Sequence, residues 1–350
     1  MEAYLKNIRQ VVPYTPGEQP KQPGIIKLNT NENPYPPSPK VMEKLFEVDR
    51  LRMYPDPAVT ELVEAIASYK GLSKEQVFVG VGSDDVLAMC FMTYFNSDLP
   101  ILFPDITYSF YDVWADLFRV PFETIPLDEN FKIVPEDYKK PNGGIIIANP
   151  NAPTGLFMPL HELETIIASN QDVIVIVDEA YVDFGGVSAQ CLLEKYKNLI
   201  VVQTFSKSRS MAGMRIGYAM GSAELIKALN DVKYSFNSYT MNQPSIVLGK
   251  ASIEDDIYFK NTCEAIVKTR EWVKEELKKM GFEFPDSKTN FIFARHHLVA
   301  AEDIFMAAKE QNIYVRYFKK PRIDNYLRIT IGTEKEMTQF ISFLKNYLKR

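Results

Sequence analysis

Five short apolar runs, "VFVG", "ILF", "GIIIAN", "VIVIVDE" and "LIVVQTF", recur through the first two thirds of the chain. Runs such as "VIVIV" are apolar at consecutive positions, without the in–out alternation of a strand that faces water on one side. That pattern belongs to strands covered on both faces. Between several of them lie segments with helical spacing, at residues 86–94, 108–118 and 160–168. Alternating strand and helix of this kind specifies an α/β fold, with a mostly parallel sheet and helices on both sides.

The flanks differ. Residues 11–39 hold "VVPYTPGEQPKQPG" and "NENPYPPSP", too rich in proline for long helices or central strands. Tyr14, Tyr35 and the apolar "IIKL" make this an arm that packs on something. Ser38-Pro39 then reads as an N-cap and first helical position, opening a helix that is amphipathic through Val41, Leu45 and Phe46. A second helix, "VTELVEAIASYK", ends at Gly71. After residue 250 a long Glu- and Lys-rich helix spans residues 255–280, followed by "NFIFAR", a helix near 300–311, "IYVRYF", "LRITIG" and a terminal amphipathic helix, 334–348. This predicts a smaller α+β unit. The expected division is an arm at 1–39 joining the small domain, a large domain at 40–250 and a small domain at 251–350.

Bulk properties exclude several classes. A net charge of −5 over 350 residues lacks the basic face that nucleic acid demands. No segment approaches the length of apolar sequence that spans a membrane, and the N-terminus lacks a signal-peptide core. Cys90, Cys191 and Cys263 are widely spaced, which argues against a disulfide framework and fits a cytoplasmic protein. His161, His296 and His297 show no zinc-site spacing and read as surface histidines, so no metal is expected.

Polar residues punctuate the ends of the apolar runs. "VFVGVG" ends in Ser83-Asp84-Asp85, "GIIIA" in "NPNAPTG", "VIVIV" in Asp178-Glu179-Ala180-Tyr181 and "LIVVQTF" in Ser206-Lys207. In an open parallel sheet, ligands bind beyond the carboxyl ends of the strands. Lys207 sits between two segments that both look buried. An ammonium held there either pairs with something or does chemistry, because an isolated buried charge is too costly to keep. A lysine amine can form a Schiff base with a carbonyl. If that carbonyl is pyridoxal phosphate's, an aspartate can hold the ring nitrogen protonated, a tyrosine can bond the phenolic oxygen, and a Gly-Ser-Asp helix start with an arginine can take the phosphate.

"NPNAPTG", "VDEAYVDF" and "TFSKSRSMAGMRIGY" resemble the fold-type I pyridoxal-phosphate aminotransferases. With "VPYTPGE", "LNTNENPYPPSP", "YPDP", "GVGSDDV" and "YLRITIGT", the resemblance narrows to the histidinol-phosphate aminotransferase family, from about residue 7 onward. It implies a seven-stranded sheet in the large domain, and transfer of an amino group between L-histidinol phosphate and 2-oxoglutarate in histidine biosynthesis. It implies that Lys207 is the Schiff-base lysine and proton carrier, that Asp178 pairs with the pyridinium nitrogen and that Tyr181 bonds the phenolic oxygen. Ser83 and Asp84 would offer backbone donors to the cofactor phosphate, joined by Ser206 and Arg215, with Tyr108 stacked on the ring. Tyr54 would reach the neighbouring site of a homodimer, and Tyr14, Arg316 and Arg328 would receive the substrate phosphate.

Two positions depart from the family pattern. Ala152 stands where a second asparagine often bonds the phenolic oxygen, leaving Asn151 as the nearby amide, and Asp85 replaces a glutamate. An aromatic-amino-acid aminotransferase or a threonine-phosphate decarboxylase on the same scaffold is the alternative enzyme. A cofactor-sensing regulator would need a DNA-binding domain ahead of the fold, and only about 40 residues precede the first strand–helix unit.

Overall fold

A computed structural model describes residues 3–349. Strand β1 (Ile26–Leu28) comes from the arm. It is followed by β2 (Val77–Gly80), β3 (Ile101–Pro104), β4 (Phe122–Ile125) and β5 (Gly144–Ala148). Next come β6 (Val175–Asp178), β7 (Leu199–Thr204) and β8 (Gly217–Met220). The C-terminal part adds β9 (Phe282–Glu283), β10 (Phe291–His296), β11 (Ile313–Tyr317) and β12 (Leu327–Thr330).

Strands β2 to β8 form one seven-stranded sheet among the described residues, in the order β2-β8-β7-β6-β5-β3-β4. Its pairings are parallel except around β8, which runs against both β2 and β7. The non-alternating runs are explained by the two cores that enclose the sheet. Ile145 and Ile147 enter the cluster on one face, and Ile146 and Ala148 the cluster on the other. All three isoleucines are fully buried, each contributing roughly 1.5–3 kcal/mol of apolar transfer. The register sets Asp178 level with Ala148 and Val202. The carboxyl ends of β5, β6 and β7 therefore open on one side of the sheet, where a site can form.

Strands β1, β11, β12, β10 and β9 make a second sheet in that order. The proline-rich arm thus packs as a strand, with β1 parallel to β11 and Ile26 opposite Ile313. The long helix Asp256–Lys279 and the terminal helix Glu334–Tyr347 cover this sheet through Ile266, Val273, Phe340 and Leu344, all buried. Arg270 of the long helix is also fully buried, and it donates to Phe184 O and Thr289 O at 2.8 Å.

Local signals place several boundaries. Ser38 Oγ accepts from Val41 N to start the helix Pro39–Lys44, and Gly71, at φ 68°, ends the helix Thr60–Lys70. The amphipathic reading of the first of these helices holds only for Val41. Leu45 and Phe46 lie beyond it in a short 3-10 turn, and Phe46 is 93% exposed. His296 is buried rather than on the surface, with Nε2 2.8 Å from Met280 O.

Candidate active site

The turn after β2 builds the first wall. Gly82, at φ 88°, precedes the helix Ser83–Tyr94, which has no side-chain N-cap, so its leading N–H groups and positive helix end are open to an anion. The turn is packed so closely that only glycine fits around it. A Cβ on Gly217 would lie 2.3 Å from Ser83 N, and one on Gly82 would lie 2.4 Å from Arg215 Nη2. Arg215 donates to Ser206 Oγ at 3.3 Å and pairs with Asp84 at 3.4 Å. Asp84 also accepts from Tyr108 OH at 2.8 Å, which fixes that ring over the cavity.

Asp178, at the end of β6, is buried. It accepts from Tyr111 OH at 2.8 Å and from Ala180 N at 3.1 Å. Burial pushes its carboxyl up to about 6, although both hydrogen bonds pull the other way. No cation pairs with it among the described residues, so the site is built to receive one. Lys207, just past β7, donates from Nζ to Thr30 O at 3.1 Å and lies 5.9 Å from the centre of the Tyr181 ring. The Tyr181 hydroxyl accepts from Asn31 Nδ2 at 2.9 Å.

These residues line one cavity of about 180 Å³: Ser83, Asp84, Tyr108, Asp178, Tyr181, Ser206, Lys207 and Arg215 all face it. It opens, past Tyr108, Tyr181 and Lys207, into a second space of about 250 Å³ that Tyr14, Arg316 and Arg328 line. Arg316 of β11 and Arg328 of β12 sit directly opposite each other in register. Arg328 donates to Asn29 O at 2.9 Å, while its buried Nε has no partner among the described residues. Arg316 donates to Thr15 O at 3.5 Å and lies 5.6 Å from the centre of the Phe318 ring. Neither pairs with a carboxylate among the described residues. Burial, with the Arg316 charge adding to it, holds the Arg328 guanidinium below its ordinary value. Two adjacent guanidiniums without an acid constitute a site for a multiply charged anion. Tyr14 closes this side, stacked on Phe110 with ring centres 4.2 Å apart.

Two expected residues lie elsewhere. Asn151 is buried between its own turn and the loop after β3, donating to Ile106 O and Thr154 Oγ1 and accepting from Thr107 Oγ1, and it does not line the cavity. Tyr54 is 82% exposed, packed on Tyr239 with ring centres 4.7 Å apart, outside the cavity of its own chain. Two participants escaped the sequence reading. Tyr111 grips Asp178 from within a helix face that reads as core, and Asn31 comes from the arm. The signal for Asn31 was the polar string "NTNEN" directly after an apolar strand.

The arrangement fits pyridoxal phosphate: an amine, a buried carboxylate awaiting a cation, a hydroxyl, and a glycine-walled turn with an arginine. Among the described residues, no group of three or more His, Cys, Asp or Glu side chains is placed to hold a metal ion, and no helix is long and apolar enough to cross a membrane.

The family described as aminotransferase class I and II matches residues 23–344. The histidinol-phosphate aminotransferase of Lactococcus lactis subsp. lactis is 51% identical over 350 residues, covering 99% of this chain and 97% of that one. Histidinol-phosphate aminotransferase 1 of Hydrogenovibrio crunogenus is 53% identical over 344 residues, covering 98% and 97%. Among solved structures, histidinol-phosphate aminotransferase from Sinorhizobium meliloti in complex with pyridoxal-5'-phosphate shares the fold. Its TM-score is 0.85 at 21% identity, over 93% of this chain and 91% of that one.

Proposed function

Because this chain belongs to the class I and II aminotransferases, and within them to the histidinol-phosphate aminotransferases, we propose that it exchanges an amino group between L-histidinol phosphate and 2-oxoglutarate, with pyridoxal phosphate as cofactor and imidazole-acetol phosphate and glutamate as products. The observation that carries the substrate choice is the facing pair Arg316 and Arg328, which no acid pairs among the described residues and which line the space beside Lys207.

When bound, the cofactor supplies a carbonyl for the amino group and a ring that accepts electrons from the substrate's Cα. Lys207 Nζ would hold the cofactor's carbonyl and would carry the proton to and from the substrate's Cα. Asp178 would keep a proton on the ring nitrogen, which would give its buried carboxylate a cation. Tyr181 donates to the phenolic oxygen. The backbone N–H groups of Ser83 and Asp84, the Ser206 hydroxyl and Arg215 hold the cofactor phosphate. Tyr108 covers the ring face, and Tyr14, Arg316 and Arg328 receive the substrate phosphate.

Two copies of the chain complete each site in this reading, with Tyr54 reaching the cofactor phosphate of its neighbour. Its exposure favours this, as does the apolar surface around it. Phe46 is 93% exposed, Leu51 70% and Phe236 68%. The three cysteines are free, which suits a reducing cytoplasm.

Borohydride reduction of the cofactor-loaded protein should fix a pyridoxyl group on the peptide containing Lys207, and turnover should favour histidinol phosphate over phenylalanine and threonine phosphate. A label on another lysine would overturn the site. A preference for phenylalanine would overturn the substrate.

A further inference from the structure

Tyr181 can donate to a cofactor oxygen only if its proton points into the cavity, and the residues around it determine whether that happens. Ala152 lines the cavity and offers no side-chain donor. Asn31 is 1% exposed, and its Nδ2 donates to the Tyr181 hydroxyl at 2.9 Å. Thr330 settles which way the Asn31 amide faces. The Thr330 hydroxyl oxygen accepts from Asn31 N at 3.0 Å, and the hydroxyl donates to Asn31 Oδ1 at 3.0 Å. Turning the amide over would make that hydroxyl accept twice and strand its proton. Asn290 Nδ2 adds a bond to Asn31 O at 2.9 Å, so the backbone that carries this amide is held as well. With Asn31 donating to it, the Tyr181 oxygen leaves its own proton no acceptor among the described residues, and that proton is free for the cavity.

We propose that Asn31 is the positioning residue of the site: by donating to Tyr181, it aims the tyrosine's proton at the phenolic oxygen of the cofactor, and Thr330 in turn aims Asn31. This rests on the pyridoxal-phosphate reading given above. The charged and titratable groups facing Tyr181 are Lys207, Arg328, Tyr108 and Tyr111, with Glu32 beside Lys207. Removing a neutral amide leaves all of them in place.

The test is the absorbance titration of the cofactor-loaded protein, which reads the proton on the lysine–cofactor link. A donor at the phenolic oxygen favours the form with more negative charge there, the form whose link has lost its proton. Losing the donor therefore raises the midpoint. Asn31 has φ 55°, a conformation glycine adopts freely, so Asn31→Gly removes the amide without straining the backbone. Its midpoint should rise by about 0.5–1 pH unit, roughly three- to tenfold in proton affinity. Tyr181→Phe should raise it at least as much, and the double variant should go no further than Tyr181→Phe alone. Thr330→Val should move it in the same direction by less, and Thr330→Ser, which keeps the hydroxyl, should not move it. An unmoved midpoint in both Asn31→Gly and Thr330→Val, or a double variant whose shifts add, would overturn the positioning role alone. A parent protein that forms no chromophore on Lys207 would overturn both readings.

Discussion

Replacing Asp178 with asparagine should change how the stability of the cofactor-free protein depends on pH, by an amount its burial sets. Burial lifts the carboxyl from 3.8 to about 6. A raised carboxyl binds its proton more tightly in the folded chain than in the unfolded one. Its contribution to stability is thus complete below about pH 4 and is lost as pH rises through 6. A rise of that size corresponds to roughly 3 kcal/mol. Asparagine has no proton to lose, although it fits the two donors at this position, Tyr111 and Ala180, less well. That misfit is a constant offset, so the informative quantity is the difference between variant and parent followed with pH. Glu179, lifted to about 7 by its own burial, is present in both proteins and cancels. Urea unfolding of the two cofactor-free proteins at pH 4, 5, 6 and 7 should show the variant gaining on the parent by roughly 2–2.5 kcal/mol across the series. Adding pyridoxal phosphate should erase that gain, because the ring nitrogen gives the parent's carboxylate its cation. A difference that stays flat from pH 4 to 7 would refute the reasoning.

Each arginine of the facing pair makes charge-assisted bonds worth about 1.5–3 kcal/mol, so Arg316→Ala should lower kcat/KM for histidinol phosphate about 10- to 150-fold and barely affect glutamate. Arg328→Ala should slow both half-reactions if Arg328 also takes the carboxylate of glutamate; half-reaction kinetics separate the two cases. Gly217→Ala would push a methyl group to 2.3 Å from Ser83 N, so cofactor affinity in equilibrium dialysis should fall at least about tenfold. Tyr54→Ala and Lys207→Ala should each be impaired alone and regain activity when mixed, if Tyr54 serves the neighbouring subunit.

The sheet and most of the site were legible because consecutive apolar residues mean burial on both faces, and burial on both faces means that strand ends carry the polar chemistry. Lys207, Asp178 and Ser83 follow from that rule, whereas Arg215, which precedes β8, came only from the resemblance. Antiparallel β8 was not legible: "GYAM" is as apolar as its parallel neighbours, and strand direction leaves no mark on composition. Asn151 misled because an amide in a turn looks the same whether it faces a ligand or staples the turn. Phe46 misled because helical spacing continues past the point where the helix stops. The roles of Tyr111 and Asn31 depend on contacts across 67 and 150 positions, which no local pattern encodes.

The bond between Asn31 and Thr330 joins residues 299 positions apart. At translation rates of about 5–20 residues per second, the ribosome makes Asn31 roughly 15–60 s before the hydroxyl that will hold it. The seven-stranded sheet, complete at Met220, has emerged well before then. The arm is therefore among the last elements to lock. Until it does, Thr30 O is not in place to accept from Lys207 Nζ.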